Sequence, residues 1–117
     1  MELHELVRAV LSGDLIAARQ LVADAQRSHR SWTRVERPTG LSDRELTVAA
    51  GITELLALRA GEKPPSWTEA VGPALEMIVL DPDLERMPRS FARAKSSGPD
   101  VLRRRNLIAL PDFLSVA

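Results

Sequence analysis

The stretch LSDRELTVAAGITELLALRAGEKPPS, residues 41–66, decides the fold. Ser42 and Glu45 have the spacing of a capping box, in which the two residues satisfy each other's free backbone N–H groups at a helix start. Gly61 is a natural helix stop, and the two prolines that follow cannot continue a helix. Apolar residues between these signals cover so wide an arc that we predict a central, well-buried helix within residues 42–61. They are Leu46, Val48, Ala49, Ala50, Ile52, Leu55, Leu56, Ala57 and Ala60.

The same stretch resembles the helix-turn-helix of the Xre/Cro repressor family, which implies a break near Gly51 and a DNA-binding regulator. The segment that would read bases is ITELLALRA, however, where a polar face is expected. The simpler interpretation is one continuous helix with an internal glycine, which costs about 1 kcal/mol relative to alanine. Both interpretations remain open. The positions that match the family are Leu41, Ser42, Glu45, Leu46, Ala50, Gly51, Ile52, Gly61 and Ser66.

Residues 1–30 are predicted to form a helical hairpin. Leucines and valines between Leu3 and Leu11 recur at helical spacing, and a second apolar stripe runs from Leu15 to Ala25. Ser12-Gly13 ends the first helix, and the Asp14 carboxylate can cap the second.

The two tryptophans stand in identical SWT triplets that we expect to behave differently. Ser66 and Glu69 suggest a second capping box, which makes Trp67 a core anchor. Trp32 lies in an irregular, arginine-rich stretch, predicted to be a loop over residues 31–41. For Trp32 we leave two roles open, burial in the core and membership of a contact patch.

Residues 62–117 are predicted to form short helices and a docked apolar tail, which packs either on the core of its own chain or on another chain. ALEMIVL, residues 74–80, fits a helical turn or a short strand, and we favour the non-strand interpretation because no other segment suggests a partner strand. A helix is expected over residues 88–95, with Pro88 in its first turn and Gly98 after its end. The tail contains Leu107, Ile108, Leu110, Phe113, Leu114 and Val116. The expected fold is therefore all-α: a compact single-domain bundle of about five helices covering residues 1–117.

Composition and motifs exclude several functions. The chain has no cysteine and two histidines, and it lacks a phosphate-binding loop, a nucleophile elbow and a His-Glu-x-x-His motif. We therefore predict a non-enzymatic protein with no catalytic residue, no cofactor and no metal site. Nothing approaches 18 consecutive apolar residues, and the start MELHELVRAV is unlike a signal peptide, so we expect a cytoplasmic protein without a membrane partner.

Charge is unevenly distributed although the net charge is zero. Residues 62–85 are acidic and residues 86–105 are basic, so the blocks either pair within the fold or present two faces to a partner. The basic block ends in the run RRRN, residues 103–106. The predicted partner-binding residues are Trp32, Arg34, Arg103, Arg104, Arg105 and Phe113.

The turn Pro65-Ser66-Trp67 and the ending RRRN-x-x-x-x-P-x-F-L, residues 103–114, resemble those of a group of small bacterial helical proteins. The resemblance covers residues 41–117 and implies an antitoxin-like partner of a neighbouring toxin, for example one of the nucleotidyltransferase type. We therefore predict a protein-protein interaction module that binds and neutralises such a toxin. The alternative is the Xre/Cro-type regulator. A homo-oligomer also remains open, and a nucleic-acid partner is the less favoured option.

Overall fold

The capping box at Ser42 starts a helix that runs without a break through Gly51. The Ser42 Oγ accepts from the Glu45 backbone N at 3.1 Å, and the Glu45 carboxylate accepts from the Ser42 backbone N at 3.0 Å. The helix ends at Gly61, whose φ of +72° suits a residue without Cβ. There the backbone N of Glu62 donates to Ala57 and that of Gly61 donates to Leu58, the two bonds of a Schellman motif. The predicted central helix is confirmed.

The computed structural model describes residues 3–115. In that range the chain is mostly helical, with five α-helices, two 3₁₀ helices and two short strands. The α-helices are α1 (Leu3–Leu11), α2 (Leu15–Arg27), α3 (Asp43–Arg59), α4 (Pro88–Ser97) and α5 (Asp100–Arg103). The 3₁₀ helices are Ser66–Ala70 and Pro82–Arg86, and the strands are β1 (Ile78–Val79) and β2 (Leu107–Ile108). Measured on Cα atoms, the radius of gyration is 13.2 Å, close to the roughly 13 Å typical of a domain of about 100 residues.

Helices α1 and α2 form the predicted hairpin. Asp14 caps α2, because its side chain accepts from the backbone N of Ala17 at 3.1 Å. The apolar stripes of both helices join the main core, to which α3 contributes Val48, Ala49, Ile52, Leu55, Leu56 and Ala57. The buried members are Leu3, Leu6, Val7 and Val10 of α1, and Ala18, Val22 and Ala25 of α2.

Gly51 marks a close approach between α3 and the C-terminal segment. A Cβ at this position would stand 2.7 Å from Leu107 Cδ1 and 3.1 Å from Leu102 Cδ2. Only a residue without a side chain lets these leucines pack so near the helix axis. The close packing offsets the low helix propensity of glycine. The glycine therefore serves packing, and no turn occurs at this point.

A two-stranded parallel sheet corrects the all-α expectation. β1 pairs with β2 in the register Ile78 with Leu107 and Val79 with Ile108. Since successive strand residues face opposite ways, Ile78 and Leu107 enter the main core, while Val79 and Ile108 pack in a smaller cluster with Leu84 and Ala94. The expectation that residues 74–80 lack a partner strand was wrong because strands of two residues carry no alternating pattern that a sequence could reveal.

The apolar tail docks on its own chain as far as residue 114. Phe113 and Leu114 are buried in the main core, and the Arg59 guanidinium donates to the carbonyls of Pro111, at 3.1 Å, and of Phe113. Burial lowers the pKa of Arg59 from its ordinary value. Val116, which we assigned to the tail, lies outside the described residues.

Candidate binding surface

Arg105, predicted to contact a partner, is instead an internal bridge. Its Nε donates to Glu54 Oε1 at 2.7 Å, and both side chains are buried. Its two terminal nitrogens donate to the carbonyls of Val71 and Thr68, each at 2.6 Å. Each of its three nitrogens therefore donates a hydrogen bond within the fold, which offsets the cost of burying the charge. The bridge ties α3 to residues 68–71.

The other two arginines of the run diverge from Arg105. Arg103 donates to the carbonyls of Gly98, at 2.8 Å, and Ser96, at 3.0 Å, so it satisfies backbone acceptors where α4 ends. Arg104 is exposed and reaches Glu54 Oε2 with a long contact of 3.4 Å. Of the three, Arg104 alone keeps a largely free surface.

Trp32 and Phe113 are likewise interior residues. Trp32 is only 2% exposed, and Phe113 belongs to the same core cluster. Burial withdraws both from a partner and so corrects their assignment as contact residues. Arg34 is exposed, so of the six predicted residues Arg34 and Arg104 lie at the surface and Arg103 lies partly there.

The second capping box is absent. The 3₁₀ helix Ser66–Ala70 begins after Pro65 without a side-chain cap, and Thr68 instead donates to the carbonyl of Pro65 at 3.0 Å. Trp67 is half-buried against the core, and its indole N–H donates to the carbonyl of Val35 at 2.8 Å. Trp32, and not Trp67, is the more deeply buried tryptophan.

A groove of about 640 Å³ lies between the first turns of α3 and residues 70–78. We call it the α3 groove. Its lining is largely apolar, and Leu75 at its edge is fully exposed. Arg37 and Arg44 supply positive charge to the lining, and Asp43 and Glu76 supply negative charge. The apolar lining residues are Leu46, Ala70, Val71, Pro73, Ala74, Leu75 and Ile78.

The wall of the α3 groove is held in place by the RRRN run. The backbone of Arg105 accepts from the Ala74 N at 3.0 Å, and the Asn106 side chain donates to the Ala74 carbonyl at 3.3 Å. From the other side, the Thr47 hydroxyl donates to the Gly72 carbonyl at 3.2 Å. A segment without regular secondary structure is thereby fixed at its backbone, so the groove is formed before any partner arrives.

A second cavity adjoins the α3 groove at Arg37, which lines both. It has a volume of about 460 Å³ and a mostly polar lining. We call it the arginine pocket. It is lined by Leu3, His4, Arg30, Arg34, Val35, Glu36, Arg37, Pro38 and Thr39.

Glu45 has a lowered pKa, chiefly because the Ser42 backbone and side chain donate hydrogen bonds to its carboxylate, which makes the shift a property of the helix cap. Within residues 3–115 no group of three or more metal-ligating side chains comes together. No helix in that range is long and apolar enough to cross a membrane.

The helix-turn-helix interpretation is wrong for residues 43–59, which form one helix. Of the segment that would read bases, ITELLALRA at residues 52–60, the first six residues are buried and Leu58, Arg59 and Ala60 are exposed. The regulator alternative therefore loses the segment on which it was based.

Comparison with known proteins adds no relative: no family model, no curated protein and no solved structure matches the chain.

Sequence reasoning missed the α3 groove and the buried Glu54. Leu75 and Leu46 come from segments 29 positions apart, and nothing local in either segment indicates that they meet. Glu54 did carry a signal, because a lone carboxylate in an otherwise apolar arc of α3 needs a cationic partner once it is buried. The run of arginines at residues 103–105 was the only dense source of such a partner.

Proposed function

We propose that this protein is a non-enzymatic protein-binding module that holds its partner in the α3 groove, in the manner of an antitoxin that neutralises a neighbouring toxin. The observation that carries the proposal is the fully exposed Leu75 at the edge of a preformed, mainly apolar groove. Contiguous apolar surface of this kind on a soluble protein marks an interaction site.

The chemistry of the groove suits a segment of another polypeptide. An apolar floor with a charged rim is the usual anatomy of a protein interface, in which buried apolar anchors supply affinity and rim charges fix orientation. Arg37 and Arg44 offer donors, and Asp43 and Glu76 offer acceptors. The bonds of Arg105 and Asn106 to residues 68–74 fix the wall, which lowers the entropy lost on binding.

The test is co-expression with the product of the adjacent gene, followed by gel filtration and a toxicity-rescue assay. Leu75→Asp is expected to weaken the complex at least 30-fold, about 2 kcal/mol, because it places a charge in an apolar contact. Ile16→Asp is the matched control, since Ile16 is 82% exposed and lies outside the groove. Neither change is expected to alter the free energy of unfolding by more than about 0.5 kcal/mol.

Two results would contradict the proposal. One is the absence of both complex and rescue, and the other is an equal loss of binding in the two variants. A gel shift with DNA from the gene's own promoter, repeated at two salt concentrations, supports the regulator instead if a sequence-specific, salt-sensitive complex forms.

A further inference from the structure

The loop that carries Arg30, Arg34 and Arg37 has no regular secondary structure, yet it is firmly anchored. Trp32 fills a place in the main core. Beside it, the Glu62 carboxylate accepts from the Ser31 hydroxyl at 2.8 Å and from the Trp32 backbone N at 3.2 Å. Glu62 is itself fixed, because its backbone N closes the Schellman motif of α3. The start of the loop is thus tied to the end of the central helix.

Three more bonds fix the rest of the loop. The Thr33 hydroxyl donates to the carbonyl of Lys63. The Trp67 indole N–H donates to the carbonyl of Val35, and His4 Nε2–H donates to the carbonyl of Thr39 at 2.6 Å. Ordering such a segment costs roughly 1–2 kcal/mol per residue in backbone entropy. The hydrogen bonds of the loop offset that cost, and they give the arginine pocket a defined shape.

Among the residues that the structure describes, none forms an ion pair with the three guanidinium groups that line this pocket. Among residues 3–115, the ion pairs of the protein involve other arginines, namely Arg27, Arg86, Arg103, Arg104 and Arg105. Of the described residues, Glu36 is the one acid in the pocket lining. Glu45 lies near His4, but its carboxylate is engaged with Ser42. Like charges on one loop repel each other, so an anion that binds in the pocket lowers the electrostatic repulsion between the three guanidinium groups.

The balance of charge indicates the class of anion. Three guanidinium groups against Glu36 leave a local charge of +2 in the pocket. A phosphate monoester carries about −1.5 to −2 at neutral pH and three strong acceptor oxygens, whereas a carboxylate carries one charge and occupies one guanidinium fork. We propose that the arginine pocket binds a phosphate monoester group, with Arg30, Arg34 and Arg37 as its donors. This site does not depend on the α3 groove having a partner.

Titration with inorganic phosphate, O-phosphoserine and glutarate, each followed by the side-chain Nε–Hε NMR signals of the arginines, tests the proposal. Inorganic phosphate is expected to give saturable shifts at Arg30, Arg34 and Arg37, and glutarate is expected to bind at least tenfold more weakly. O-Phosphoserine distinguishes two sources of the group. Tighter binding than phosphate indicates a phosphorylated side chain, and equal binding indicates recognition of the phosphate group alone.

The matched pair of variants is Arg34→Gln and Arg89→Gln. Both arginines are exposed, neither is in an ion pair among the described residues, and Arg89 lies outside the pocket. We expect Arg34→Gln to weaken phosphate binding at least tenfold and Arg89→Gln to change it less than twofold. An equal effect of the two variants, shifts spread over all the arginines, or binding of glutarate as tight as that of phosphate would overturn the proposal.

Discussion

Two groups of three arginines behave in opposite ways in this protein. Arg103, Arg104 and Arg105 are consecutive, yet they point to three different places: the end of α4, the surface, and the interior beside Glu54. Arg30, Arg34 and Arg37 are separated in an irregular loop, yet they line one pocket. Outside regular secondary structure, therefore, arginines that are neighbours in the sequence need not lie at the same site, and separated arginines can.

The difference arises from what each group has to satisfy. Near Arg105 the fold contains a buried carboxylate and backbone carbonyls. The guanidinium donates its hydrogen bonds to these interior groups. Around Arg34 the backbone is already fixed by Glu62 and by the two tryptophans. Within the described part of the chain, the arginines of the loop are therefore not needed to hold the fold together. The C-terminal group supports the fold, and the loop group is available for a ligand.

The largest effect is expected from Arg105→Met. Removing Arg105 leaves the buried Glu54 carboxylate with only its long contact to Arg104, so we expect a loss of about 3–5 kcal/mol in the free energy of unfolding, measured by urea denaturation. The double variant Glu54→Leu with Arg105→Met should recover part of that loss, because no charge then remains buried. Additive losses in the double-mutant cycle would show that Glu54 and Arg105 do not form an energetic pair.

A smaller effect is expected from Glu62→Ala, which removes the anchor of the loop arginines. The Trp32 backbone N and the Ser31 hydroxyl both lose their acceptor, so the cost should be about 1–2 kcal/mol. The Trp32 amide should exchange faster, and its free energy of local opening should fall by a similar amount. Glu69→Ala serves as the control in the same acidic block, since Glu69 is exposed. Equal exchange rates at Trp32 in the two variants would mean that Glu62 does not anchor the loop.

The smallest effect on stability is expected from Arg34→Gln. Because the side chain is exposed and has no structural partner among the described residues, unfolding should change by less than about 0.5 kcal/mol, in the stabilising direction at low salt. The relief of repulsion should fade as salt is added. Thermal unfolding at low and high ionic strength measures the change in stability and its dependence on salt. A clear destabilisation would mean that Arg34 stabilises the fold, as Arg103 and Arg105 do.

Local signals in the sequence were sufficient for the helices. The capping box at Ser42, the cap at Asp14 and the stop at Gly61 each act within a few residues, so they could be predicted and are confirmed. Contacts between distant segments could not. The pairing of β1 with β2, the partner of Glu54 and the burial of Trp32 depend on residues about 30 to 50 positions away. Trp67 illustrates the limit, since its apparent capping box does not form.

The close contact at Gly51 also sets an order of events during synthesis. α3 is complete by residue 59, but the side chains that cover it at Gly51 belong to Leu102, Arg105 and Leu107. A nascent chain emerges N-terminus first, at about 5–20 residues per second. Until residues 102–107 are synthesised and packed against α3, Glu54 lacks its buried partner Arg105 and the central helix has a bare face. A chain that stops before residue 102 therefore leaves this face of α3 uncovered.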